Sequence, residues 1–344
     1  MYKLGSVDEK YTSFDEEGDE DNTPTIFSIP ERIQNLANVL SVGHFDLVVF
    51  QEVTDGQRGQ AAMTDLVQEL HNNHNLDYEY FMSDYIGQGL MAEAIAFMYD
   101  PNVVKPELLP GSTSLVQNIE IPGRDLVRTQ WEAGDFDFTL ISAHLAWGNE
   151  ADRDAGYTKI NEIFNTDTPS QYSDDPDIII LGDFNRLGNG YDSVKELHYD
   201  PNRFLAPNIT FFDPLFSEMK SVTKTSISGK GVPNDNKQFI STTVASNSYV
   251  YDMILISNDV SEEFPPGTTE AIYGIDFGII HFDEPNGFWH QAEADKLSHN
   301  DLKEAYSDHR PLWMKFRTNT GNNDDPRGGV NLSACRSMGE TRQA

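Results

Sequence analysis

Apolar and polar positions alternate along this chain in two periods. From Ser28, Ile33, Leu36, Ala37 and Leu40 recur three and four apart, which predicts a helix with one buried face, capped by Ser28 and opened by Pro30. The run 45–50, FDLVVF, is short, rich in β-formers and apolar on both faces, so it reads as a strand inside a sheet that stops at Gln51-Glu52. A second helix follows, with Met63, Leu66, Val67 and Leu70 on one side. Further strands are predicted at 94–99, 126–132, 136–144, 177–181, 250–257 and 311–316, and helices at 151–165 and near 192–198. This mixed order, with neighbouring hairpin-like strands, predicts a layered α/β fold and argues against a purely parallel sheet.

No repeat or linker interrupts the pattern. One domain is expected over 26–317, preceded by an acidic, mobile segment (1–25) and followed by a polar, disordered tail (318–344). The acidic cluster at 7–24 does not match the spacing of a twelve-residue calcium loop. No apolar run reaches the length of a membrane span, and the first residues lack the apolar segment of a signal peptide. With 24 Lys and Arg against 56 Asp and Glu, the net charge is −32, which speaks against binding nucleic acid mainly by charge neutralisation. The excess fits either a protein adapted to salt or ordinary acidic surface decoration. The single cysteine, Cys335, excludes an internal disulfide framework.

Several predicted strands end in polar residues able to bind metal: Gln51-Glu52, His144, Asp183-Phe184-Asn185, Asp252 and Ser307-Asp308-His309. Strand ends gathered at one edge of a sheet are a natural place for a site. In sequence and order, the segments FDLVVFQEV, ISAHL, IIILGDFN, YDMILIS and YSDHRPLWM resemble the endonuclease/exonuclease/phosphatase superfamily, and within it the deoxyribonuclease I branch. A strand-flanked GDFN with a distant SDHRP carries most of that resemblance.

The resemblance implies a two-layer β-sandwich flanked by helices, and a divalent-metal hydrolase of phosphodiesters acting on nucleic acid, DNA first. Magnesium is the expected ion, with manganese or calcium as substitutes. Glu52 and Asp308 would hold the metal. Asp183 would activate water, with Asn185 positioning it and holding phosphate, and Arg128 would grip a phosphate oxygen. Two carboxylate–histidine pairs, Glu93–His144 and Asp252–His309, would flank the scissile group. Arg186 lies near the GDFN turn without an assigned direction. His44, His71, His74, His198, His281, His290 and His299 read as surface or structural residues.

The family also carries an Asn on a first strand, and no such strand precedes Ser28. The expectation is that the chain starts just inside the motif, and that a core strand with the Asn lies ahead of Met1. A secretion signal there would direct the protein to the periplasm or the exterior. Two other readings remain: a phosphodiesterase or phosphatase for lipid or small phosphate esters, and a non-catalytic binding module. An exposed aromatic hairpin around Phe277–Phe282 and Phe288-Trp289 would favour the lipid version.

Overall fold

A computed structural model describes residues 13–14, 20–21, 29–54, 56–87, 92–146, 149–164, 177–185, 252–257, 260, 263–264, 277–280, 282, 291, 297, 305–307, 309–318 and 330–333. In chain order the elements are β1 (Ser13–Phe14), β2 (Glu20–Asp21), α1 (Ile29–Gly43), β3 (Leu47–Val53), α2 (Gly56–His74), β4 (Glu79–Met82) and β5 (Ala94–Tyr99). Then come β6 (Lys105–Glu107), β7 (Gln117–Ile119), β8 (Leu126–Ala133), β9 (Phe136–His144), α3 (Glu150–Phe164) and β10 (Ile178–Asp183). The last elements are β11 (Asp252–Ile256), β12 (Phe277–Ile279), β13 (Leu312–Phe316) and β14 (Val330–Ser333).

Two six-stranded sheets form, one ordered β11-β10-β9-β8-β6 with β7 also on β8, the other β12-β13-β14-β3-β5-β4. Their inner faces share one core, to which Leu47, Phe97, Trp131, Phe138, Leu140 and Ile179 contribute. Trp131 of the first sheet packs on Phe81 and Tyr99 of the second, with ring centroids 5.6 and 5.5 Å apart. Burying each such large side chain contributes about 1.5–3 kcal/mol, so this interface dominates the layering.

The outer faces differ in cover. α1 and α2 close the second sheet, packing Ala37, Leu40, Met63 and Leu66 on Val48 and Met98. On the first sheet, α3 places Tyr157, Ile160 and Ile163 against Ile141 and Ile180. The architecture is therefore a two-sheet α/β sandwich with helices outside, as the motif resemblance implied.

The structure differs from the sequence reading in three places. The short strands β4, β6, β7 and β12 are not predicted, since three- and four-residue runs carry too little alternation to register. Within the acidic segment β1 and β2 pair antiparallel. In the tail expected to be disordered, β14 lies between β13 and β3, antiparallel to one and parallel to the other. A strand thus stands beside β3, but it comes from the C-terminal side of the chain. The helix near 192–198 falls outside the described residues.

The Phe277 segment is not an exposed hairpin: Phe277, Ile279, Ile280 and Phe282 are buried, and β12 pairs with β13. Phe288 and Trp289 are outside the described residues. Among those described, no helix is long and apolar enough to cross a membrane.

Candidate active site

Sheet register aligns the first row of the site. On β10, Asp183 pairs directly with His144 of β9 and with Asp252 of β11. Side chains alternate between faces along a strand. Ile179 and Leu181 point into the inter-sheet core, so Asp183, two further on, ends the same inward row.

The second sheet delivers Gln51 and Glu52 through a break in that alternation. Pairing of β3 with β5 shifts between Phe50↔Ala96 and Val53↔Ala94, so three steps on β3 face two on β5. This extra residue is a β-bulge, and Glu52 sits in it at φ 58°. Val49 faces inward while Phe50 and Val53 both face the α1–α2 side. Gln51 and Glu52 are therefore both delivered at the rim. A positive φ on a non-glycine residue is strained, and such residues gather at functional sites. Asn185 is the other case here, at φ 48°.

Both histidines use the same plan. His144 Nδ1 lies 2.5 Å from Glu93 Oε1, and His309 Nδ1 lies 2.7 Å from Asp252 Oδ2. Their Nε2 atoms then face Asp183 Oδ2, at 3.7 Å from His144 and 3.9 Å from His309. The other Asp183 oxygen, Oδ1, accepts from the Asn185 backbone N–H at 2.7 Å. The Asn185 side-chain amide donates to Leu145 O at 2.7 Å, which pins the GDFN turn. The Ser307 hydroxyl accepts from the His309 N–H at 3.1 Å and sets that ring's approach.

Burial gives this centre its electrostatics. Asp183 is enclosed, and desolvation pushes its carboxyl above the usual range; Asp252 adds to that, while His309 and His144 oppose it. For His144, burial is the largest influence and works against the imidazolium, but the charge and hydrogen bond of Glu93 together with the charge of Asp183 outweigh it and the net direction is upward. Arg124, nearly buried, lowers it in turn, with Nη2 3.9 Å from Glu93 Oε2.

The donor set fits a divalent cation. Glu52, His144 and Asp183 each present a ligand atom, and these atoms lie within 4.8 Å of one another; Asp183, Asp252 and His309 form a second such group. His144 Nε2 is buried without a hydrogen-bond partner among the described residues, and stands 3.7 Å from both Glu52 Oε1 and Asp183 Oδ2. A buried polar atom aimed at two carboxylates suits a site that binds a further group. A cavity of about 190 Å³ opens beside it, lined by Glu52, Asp183, Asp252 and His309 and extending to Arg32 and Leu36.

Of the predicted site residues, Glu52, Glu93, His144, Asp183, Asn185, Asp252 and His309 are thus brought together. Arg128 is not. On β8 it pairs with Ile141, whose side chain lies in the α3-side core, and Arg128 Nη1 donates to Gln117 Oε1 at 3.2 Å. Alternation therefore turns it to the face opposite His144. The arginine beside the Glu93–His144 pair is Arg124, four residues earlier, which sequence reasoning missed. Its place ahead of the strand, where period-two alternation does not apply, hid it. Gln51 also went unassigned, although it stands in the QE motif. Asp308 and Arg186 lie outside the described residues. His71 is exposed and paired with Asp77, and His44 sits in a turn at φ 47°, away from the site.

The fold and the convergent pairs define an α/β sandwich with a carboxylate–histidine site at the strand ends. No family model matches the chain, and no curated protein matches it. Among solved structures it is similar to zebrafish (D. rerio) TDP2 complexed with single-strand DNA product, with 15% identity, 76% of this chain and 87% of that chain covered, and a TM-score of 0.45. It is similar to truncated Caenorhabditis elegans TDP2, with 18% identity, 73% and 81% covered, and a TM-score of 0.42. It is also similar to an endonuclease/exonuclease/phosphatase family protein from Leptotrichia buccalis, with 17% identity, 66% and 81% covered, and a TM-score of 0.38.

Proposed function

We propose that this protein is a divalent-metal-dependent phosphodiester hydrolase, with DNA as its substrate and internal cleavage as its mode. The observation that carries the reading is the convergence of two carboxylate-held histidines on one buried aspartate. Glu52 would hold the ion, with Asp308 of the SDHRP motif beside it by resemblance. Magnesium is the expected ion because oxygen donors dominate, and manganese would substitute. When bound, the ion polarises a phosphoryl oxygen and offsets charge on the leaving oxygen.

The remaining chemistry belongs to the side chains. Water attacks phosphorus as Asp183 Oδ2 takes its proton; Oδ1 is already engaged by Asn185, which fixes the direction of the acceptor. Burial raises the basicity of Asp183 above that of a surface carboxylate. The P–O bond to the leaving group then breaks, and the proton on His309 Nε2 passes to that oxygen. For this His309 must be the imidazolium: its Nδ1–H donates to Asp252, whose carboxylate orients the ring and stabilises the cation whose Nε2 proton is passed on. His144 would stabilise charge on the non-bridging oxygens, with Arg124 acting from behind it through Glu93.

The net charge of −32 means that a polyanion must be gripped locally, and strong salt dependence follows. Plasmid cleavage in magnesium or manganese, with and without chelator, tests the reading. Asp183→Asn and His309→Ala should each lower cleavage about 10²–10⁴-fold, the usual worth of acid–base catalysis. Undiminished cleavage in excess chelator would refute the mechanism. Cleavage confined to lipid or small phosphate esters would leave the chemistry standing and replace the substrate.

A further inference from the structure

Among the described residues of the site, Gln51 is the side chain that reaches from the second sheet into the hydrogen-bond ladder of the first. Its Oε1 accepts from the Asp183 backbone N–H at 2.9 Å. Its Nε2 donates to Ala143 O at 2.7 Å and to Ser142 Oγ at 3.3 Å. β9 and β10 run parallel, with Gly182 opposite Ala143 and Asp183 opposite His144. A regular parallel ladder would join the Asp183 N–H to the Ala143 carbonyl. The Gln51 amide stands between those two groups and satisfies both, as an inserted peptide unit would.

Gly182 makes the insertion sterically feasible. Its φ is +138°, which side-chain-bearing residues rarely adopt, and a Cβ there would lie 2.1 Å from both Ala143 O and Gln51 Nε2. Gln51 and Gly182 are therefore complementary parts of one device. Glu52 is covalently next to the amide on one side, and Asp183 is hydrogen-bonded to it on the other.

We propose that Gln51 is a positioning residue: its amide, seated in the gap left by Gly182, sets the separation between Glu52 and Asp183. The proposal rests on the hydrolase reading for its kinetic consequences and on the geometry alone for its structural ones. Gln51 touches no reacting atom. It acts through the two carboxylates it holds in register across the sheets.

Three variants test this. Gln51→Met keeps volume and loses both hydrogen bonds. Gln51→Glu keeps an acceptor for the Asp183 N–H but sets an oxygen against the Ala143 carbonyl. Gly182→Ala displaces an unaltered Gln51. Manganese binding by calorimetry should weaken about 10-fold or more in each, and kcat should fall about 10–100-fold with KM nearly unchanged, the usual effect of losing a residue that orients metal ligands. Amide hydrogen exchange at Asp183 should accelerate in Gln51→Met while exchange at Ile179–Leu181 stays slow.

A folded Gln51→Met protein with unaltered manganese affinity, or with unaltered Asp183 exchange, would overturn the proposal. So would a loss of kcat matched by equal loss of protection throughout β10, which marks a purely structural residue. If the native chain cleaves no phosphodiester, the hydrolase reading fails, and the exchange and manganese measurements still decide the role of Gln51.

Discussion

Replacing Glu93 by Gln removes one negative charge from an enclosed cluster while preserving its shape. Glu93 and His144 have no solvent-exposed side-chain surface, and Arg124 has only 2%. In the native protein the carboxylate faces the His144 imidazole at 2.5 Å, whose protonated form it favours, and the Arg124 guanidinium at 3.9 Å. Stripping one partner from a buried pair costs about 3–5 kcal/mol when the other is left charged. Gln retains an acceptor oxygen for the imidazole N–H, and His144 can shed its proton, so about 1.5–3 kcal/mol is expected, the range of a hydrogen bond to a charged group. For a chain of this size that lowers the melting temperature by about 2–5 °C.

The pH dependence has a definite sign. His144 holds its proton above the usual histidine range, so its contribution is fully present below the unfolded value near 6.5 and is lost as pH rises through the folded value. The gap between native and Glu93→Gln melting curves, measured by calorimetry in chelator, should be widest near pH 6 and narrow towards alkaline pH. The part due to Arg124 persists. Melting within 1 °C of the native protein at pH 6, with His144 titrating at its ordinary value by NMR, would refute the argument.

The other predictions are simpler. Asp252→Asn should leave the fold intact and lower kcat about 10²-fold or more, because His309 loses the carboxylate that orients it; steady-state kinetics decide this. Arg124→Ala should depress phosphodiester cleavage far more than Arg128→Ala, whose cost should appear in thermal stability; equal kinetic loss in both would contradict the assigned faces. Ending the chain at Thr318 removes β14, which alone among the described strands joins β13 to β3. The melting temperature should fall by about 5 °C or more, since two strand edges lose their partner; an unchanged melting curve would show that β14 contributes nothing.

Much of the site is legible in the sequence. The long strands carry their own signal: Ile178–Leu181 is buried throughout, and an apolar run of that kind marks an interior strand wherever it lies. Motif residues at such strand ends need only the strand to be placed, which is why Asp183, His144, Asp252 and His309 are all found. Helices α1 and α2 are equally plain, because a stripe of spacing three and four survives in sequence.

The relations between strands are not written there. The face of Arg128 depends on where β8 begins and on which side α3 covers. The prominence of Arg124 depends on its nearness to Glu93, which is remote from it along the chain. The role of Gln51 depends on a bulge that exists only when β3 is paired with β5, and on a gap that Gly182 leaves in a different sheet. The strand beside β3 comes from the far end of the chain, since ladder pairing is chosen by edge availability and not by nearness in sequence. Local pattern determined the elements and the residues at their tips; the packing of one sheet on the other decided which of those residues meet.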